Sequence, residues 1–333
     1  MATKQAVQEH QPIGHVNIGD AFSGVYYIEN VFIKQTKNNK DYQEYTLRDK
    51  SGSRFVKYWG VVDGVAKGDF VFVAANVEEY MGNPSIIAKN VQKEQSPADM
   101  SNYLPAFEDS DKHAESFDQV RTTLKQIEAD IGDETAGKIV DEVYGNGAFF
   151  QKFIQAPGSA KPHYGREGGL LANTVRVAEQ AVKTAESYGL DAQEKAILIA
   201  AALLCRIGAI DAYEFQDCMP VETKKGILLG LNNLTMTRVS SALKRVVAEL
   251  AKTQMSASQE TVMRLFHAIS SYNDSCMKPM TKEALILAAV YRMDAQMVDA
   301  VEFIQNDVNM TEEFTAYDPA LGRRYYTGCK ISA

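Results

Sequence analysis

Cys205 and Arg206 stand side by side at the end of the apolar run from Ala196 to Leu204. A guanidinium beside a thiol would favour the thiolate, the form that attacks as a nucleophile. Neighbouring residues on a helix point in different directions, and no histidine is adjacent in sequence, so a buried structural cysteine is the simpler reading. The five histidines, His10, His15, His113, His163 and His267, show no ligand spacing of the HExxH kind. Asp211, Glu214, Asp217 and Glu222 cluster after the Cys-Arg pair and read as a solvated loop. No phosphate-cradling glycine loop, dinucleotide fingerprint or nucleophile elbow is present. The other chemically suggestive stretch is Arg54-Phe55-Val56-Lys57-Tyr58-Trp59, where basic residues are interleaved with apolar and aromatic ones.

A chain of 333 residues is long enough for two domains. Its net charge of −8 argues against coating nucleic acid by bulk charge, though not against a local basic groove. Cys205, Cys218, Cys276 and Cys329 have no CxxC spacing and read as reduced thiols of a cytoplasmic protein. No apolar run approaches the roughly 18 residues of a membrane span. The polar stretch from Met1 to Pro12 lacks the apolar core of a signal peptide.

The elements that must position these residues change character along the chain. Residues 1–14 read as a flexible lead. Residues 15–93 alternate in the manner of short strands, with turns at Lys37-Asn38-Asn39-Lys40 and Asp49-Lys50-Ser51-Gly52. Five or so strands in so short a length predict a small barrel. Residues 94–113 form a linker. From 114 to 328 apolar residues recur at helical spacing, as in Phe117, Val120, Leu124 and Ile127. Residues 329–333 are a tail. The fold class is α+β multidomain, a β-barrel followed by an all-α domain.

The order of the pieces Tyr42 to Leu47, Asp49-Lys50-Ser51-Gly52, Tyr58-Trp59, Gly68-Asp69 and Tyr80 with Gly82 resembles the OB-fold of the YhaM-type 3′–5′ exoribonucleases. An OB-fold binds single strands with aromatic platforms and a basic groove. The stacking candidates are Tyr26, Phe32, Tyr45, Phe55, Tyr58 and Trp59. The phosphate candidates are Lys34, Lys37, Lys40, Arg54 and Lys57. Roughly half of these aromatics must fill the barrel, because strand neighbours face opposite sides.

The helical part resembles the HD phosphohydrolase domain of the same family. Leu203-Leu204-Cys205-Arg206-Ile207-Gly208-Ala209 stands where the family has its His-Asp metal pair and a lysine. His163 matches the first histidine before Gly168-Gly169-Leu170, while Tyr164 and Asn173 replace a second histidine and a ligand histidine. Leu231, the pair Tyr272-Asn273, and Tyr291 replace a histidine, a His-His pair and the second metal aspartate; Asp294 matches a downstream aspartate. The resemblance runs from about Val16 to Gly328.

An HD site holds divalent ions with imidazole and carboxylate donors. Here those donors are replaced together, and Arg206 brings a guanidinium that stays charged. The resemblance therefore implies a metal-free domain, no cofactor and no catalytic residue in a protein that binds single-stranded RNA or DNA, or acts as a scaffold. The helical domain would serve a protein partner or a homo-oligomer. An active phosphohydrolase with ligands from elsewhere, and an OB-fold that binds protein, remain alternatives. Arg206 is expected to point into the former metal pocket, toward Asn173, Tyr272, Asn273, Tyr291, Asp294 or main-chain carbonyls; swinging out to solvent is the other course open to its long stem.

Overall fold

The computed structural model describes residues 10–36, 38–80, 83–97, 102–103, 110–160, 164–216, 219–273, 277–305, 313–319 and 321–328. Lys37, His163, Asp217, Cys218, Cys276 and Cys329 lie outside them, as do residues 1–9, much of the 94–113 linker and the 329–333 tail. The chain divides into two compact units: Met1–Pro105 with Asp307–Tyr317 and Arg324–Ala333, and Ala106–Asn306 with Asp318–Arg323. The sequence reading kept 114–328 as one domain; this division instead groups 313–317 and 324–328 with the barrel's unit. That part of the chain forms no helix, and Phe314 bridges Tyr326.

The first unit is a closed five-stranded barrel, as the alternation predicts. Its strands are β1 (Ala21–Gln35), β2 (Asp41–Asp49), β3 (Gly52–Tyr58), β4 (Phe70–Tyr80) and β5 (Asn83–Glu94), ordered β1-β2-β3-β5-β4. β1 is long enough to serve two neighbours. Its first half pairs with β4 and its second with β2, with a register shift between Ile28 and Asn30. A bulge of this kind sharpens the bend that closure requires. The parallel pairing of β3 with β5 closes the wall. Ile28, Tyr45, Leu47, Val56, Val71 and Val73 fill the interior.

Residues 10–14, expected in the flexible lead, are instead held against the barrel. Ile13 is fully buried in a short 3-10 turn. The Asp49 carboxylate accepts from the backbone N–H of Ile13 at 2.8 Å, from the Ser51 backbone and hydroxyl, and lies 2.9 Å from His10 Nε2. These bonds hold its pKa below the usual carboxylate value against the upward push of burial.

The second unit is helical: α1 (Ser110–Ile131), α2 (Thr135–Tyr144), α3 (Gly147–Gln155), α4 (Gly169–Ser187), α5 (Ala192–Leu204), α6 (Ala209–Ala212), α7 (Lys224–Leu229), α8 (Leu231–Lys252), α9 (Gln259–Ser271) and α10 (Lys282–Gln305). α5 is the helix the others surround. It opens with a capping box between Asp191 and Glu194, and Ala196 to Leu204 are all buried. A helix apolar on every side is stable only in such a position. Among the described residues no helix is long and apolar enough to cross a membrane.

Within the acidic cluster, Glu214 and Glu222 are exposed as expected but lie in a two-stranded ribbon, β6 (Tyr213–Gln216) against β7 (Met219–Glu222), while Asp217 is outside the described residues. Tyr213 pairs with Glu222 and Glu214 with Val221, so polar and apolar residues alternate across it. Asp211, just before it, is tied to Arg238 at 2.6 Å.

Glu128 of α1 makes stability depend on pH. Its buried carboxylate accepts from the Gly137 N–H in the first turn of α2, at 2.6 Å. Loss of solvent raises its pKa to about 7; the Gly137 bond opposes the rise, and Asp133 and Glu134 add to it. The folded-state value lies above the unfolded one. The group's contribution to stability is therefore complete below the ordinary glutamate value and is lost as pH rises through 7. Thermal melts are expected to fall between pH 5 and pH 8. Glu128→Gln keeps an acceptor without a charge and should flatten this part of the curve; an unchanged slope would remove Glu128 as its source.

Candidate nucleic-acid interface

The outer wall of β1, β2 and β3 carries Phe32, Lys34, Phe55, Lys57 and Trp59, because alternation sends neighbours to opposite faces. On β2, Gln43, Tyr45 and Leu47 are buried inward, so Tyr42, Glu44 and Thr46 face out. On β3, Val56 points into the core, so Phe55 and Lys57 face out, and Trp59 continues that row beyond the strand. Pairing then lays these residues in rows. Phe32 lies opposite Glu44 and Glu44 opposite Lys57; Lys34 lies opposite Tyr42; Thr46 lies opposite Phe55. Phe32, Phe55 and Trp59 are 54%, 55% and 59% exposed. The Tyr42 ring packs against Trp59 with centroids 5.0 Å apart. Three exposed rings thus share one outer wall, Phe32 on β1 and Phe55 and Trp59 on and just beyond β3, with β2 between them, and exposed rings are what single strands stack on.

Several candidates are corrected by their surroundings. Tyr26 is 0% exposed and fills the barrel, its hydroxyl donating to the Gln11 carbonyl at 2.8 Å. Tyr45 is likewise interior, donating to Gln43 Oε1 at 2.5 Å. Tyr58 shares the inward parity of Val56 and packs against the barrel core. The Arg54 guanidinium is exposed but donates to the carbonyls of Gly14 at 2.7 Å and Ser53 at 3.0 Å. The Lys34 ammonium sits 2.5 Å from Glu44 Oε2. Lys40 is exposed in the β1–β2 turn, Lys57 is half-buried on the outer wall, and Lys37 is outside the described residues. Sequence reasoning missed Tyr42 and Glu44. Their parity with Phe55 and Trp59 was readable, but strand register, which sets them beside those rings, was not.

The second cluster gathers where α5 ends. The turn after Leu204 carries Arg206, 8% exposed. Its guanidinium donates to the Tyr291 hydroxyl on α10 and to the Gly158 carbonyl, and the Tyr213 side chain is a further partner. Tyr272 packs edge-on against Tyr291, centroids 4.7 Å apart. Beside this group, Asp294 accepts from the Tyr164 hydroxyl at 2.8 Å and from Asn173 Nδ2 at 3.0 Å. Burial raises the pKa of Asp294, and these two bonds oppose the rise.

The Gly168-Gly169 pair makes this arrangement possible. Gly168 has φ +77°, and a Cβ on Gly169 would lie 2.1 Å from the Tyr164 carbonyl. That close approach keeps the Gly158 loop in place, with Gly158 N–H donating to Tyr164 at 2.8 Å.

Other positions fall away from the cluster. Leu231 begins α8 and packs as an apolar side chain. Asn273 is exposed and exchanges amide bonds with Asn232 at 3.4 Å. Cys205 is buried, with its sulfur directed at the Ala202 carbonyl, and burial pushes its thiol up to about 12. That is the opposite of an activated nucleophile. His267 accepts from the Met280 N–H at 2.9 Å on Nε2.

The divalent ions that an HD site holds do not fit these residues. A fixed positive charge lies buried among tyrosine hydroxyls, and the nearby carboxylate is bound by an amide and a phenol. Among the described residues no group of three or more His, Cys, Asp or Glu side chains could hold a metal ion.

No family model matches the chain. No curated protein matches it either. Among solved structures it is similar to the second OB-fold domain of replication protein A from Methanococcus maripaludis, determined in solution by NMR. The identity is 16%, over 27% of this chain and 100% of that domain, with a TM-score of 0.22. The N-terminal barrel is OB-like. Its own strand order and closure carry that statement.

Proposed function

We propose that the outer β1–β2–β3 wall of the barrel binds single-stranded nucleic acid, and that the chain is a catalytically inactive relative of the YhaM-type exoribonucleases. In this reading the helical unit is an HD-like domain kept for assembly or for a protein partner, with Arg206 where a metal would have been. The observation that carries the proposal is the set of three exposed rings on one outer wall, Phe32 on β1, Phe55 on β3 and Trp59 just beyond β3, with β2 between the two strands. Bases stack on such rings whatever their sequence.

A second reading takes support from the sparse free charge on this wall. With Lys34 bound to Glu44, an apolar protein segment could lie on the same rings. Salt separates the two. Strand binding involving two or three phosphates should weaken with salt at a log–log slope of roughly −2, whereas apolar docking should not weaken.

Trp59 is the single tryptophan, so its fluorescence reports on the wall directly. Titration with RNA and DNA oligonucleotides at low salt is expected to shift it, and the same sample with manganese or magnesium should leave the strands intact. Absence of binding to either polymer at low salt defeats the proposal. Chelator-sensitive degradation that tracks the pure protein defeats its inactive half.

A further inference from the structure

Glu44 sits where a strand-binding wall would ordinarily avoid a carboxylate. It is the middle residue of the row Phe32–Glu44–Lys57, and its side chain is only 14% exposed. One oxygen holds the Lys34 ammonium at 2.5 Å; the other is 3.3 Å from the Tyr42 hydroxyl, whose ring packs on Trp59. A carboxylate repels phosphate and accepts hydrogen bonds without donating any. Next to aromatic platforms its available partners are the N–H groups of a stacked base. Among the common bases guanine presents two adjacent donors, N1–H and the N2 amino group, on one edge. Those two match the two oxygens of one carboxylate. Cytosine and adenine offer an amino group beside an acceptor, and thymine and uracil a single imino N–H between two acceptors.

We propose that Glu44 reads guanine in a bound strand, which makes it the specificity-determining residue of the wall; this rests on the strand-binding reading above. The Lys34–Glu44 pair supports the idea from the other side. A guanine edge that takes the carboxylate releases the Lys34 ammonium on the same face, where it becomes a phosphate contact. The free protein thus keeps Lys34 occupied, and the cognate base exchanges one partner for the other.

The test is a Trp59 fluorescence titration of the full chain with pyrimidine strands. The strands carry one or two guanines, hypoxanthine at the same positions, or neither, as RNA and as DNA. Hypoxanthine retains N1–H and lacks the amino group. Guanine strands are expected to bind about tenfold tighter than the plain strand, the scale of one bidentate base contact, with hypoxanthine losing most of that advantage. Glu44→Ala should abolish the difference between the guanine, hypoxanthine and plain strands. Equal affinity for all three strands, or a guanine preference that survives Glu44→Ala, overturns the assignment of Glu44 while strand binding itself stands. If no strand binds, the strand-binding reading fails and this one with it.

Discussion

Replacing Arg206 with alanine is expected to destabilise the helical unit by about 2–4 kcal/mol, the sum of lost charge-assisted bonds and the space left behind. The guanidinium is 8% exposed and bonds to the half-buried Tyr291 hydroxyl, to the buried Gly158 carbonyl and to the Tyr213 side chain. Truncation removes all of these bonds. Arg206→Met should be milder than Arg206→Ala. It fills much of the volume and removes a buried cation that is held by a neutral hydroxyl and a carbonyl, and taking a charge out of water is costly. Tyr291→Phe should cost on the order of 1–2 kcal/mol, whereas Tyr272→Phe should cost little, since the Tyr272 hydroxyl has no partner among the described residues. Urea or thermal melts of the four variants measure this order. A melt unchanged by Arg206→Ala would contradict the packing described. Arg206→Asp alone should confer no manganese binding, because the imidazole donors a metal needs are absent from positions 173, 231, 272 and 273.

Alanine at Trp59 or at Phe55 is expected to weaken single-strand binding by about 1–3 kcal/mol each, or about 5- to 150-fold. Both rings stand more than half exposed, so the folded barrel should survive their loss. They sit on the same face with Lys57 between them, far enough apart that the two losses should add approximately. Tyr26→Phe serves as the control. Its ring is interior and only the bond to the Gln11 carbonyl is lost, so stability should fall slightly and strand affinity should hold. Because Trp59→Ala removes the fluorophore, anisotropy of a labelled strand is the readout across the series. Unaltered affinity in the Trp59→Ala, Phe55→Ala double variant would move the binding surface off this wall.

The sequence by itself determined the two-part plan. Two-residue alternation from Phe22 to Val91 can bury one face only as sheet, and the spacing of three and four from Phe117 onward can do so only as helix. The uniformly apolar run from Ala196 to Leu204 likewise required a helix enclosed on all sides, and α5 is enclosed. Residue types settled as much of the chemistry as types can. An arginine at position 206 brings a fixed positive charge wherever its side chain points.

Tertiary structure alone decided which of the candidate rings meet solvent. Alternation assigns two faces but does not say which is inside; Tyr26, Tyr45 and Val56 face the core, Tyr58 packs with them, and Phe55 and Trp59 are left to solvent. Register across β2 and β3 brought Tyr42 to Trp59 and set Glu44 between Phe32 and Lys57. Arg206 shows the same limit. Its long stem allows either a buried or a solvated head. What settles the matter is a carbonyl 48 residues away and a hydroxyl 85 residues away, brought to the end of α5 by the packing of α4 and α10 around it. Contacts at such separations depend on how whole elements pack, and no local pattern of residues encodes them.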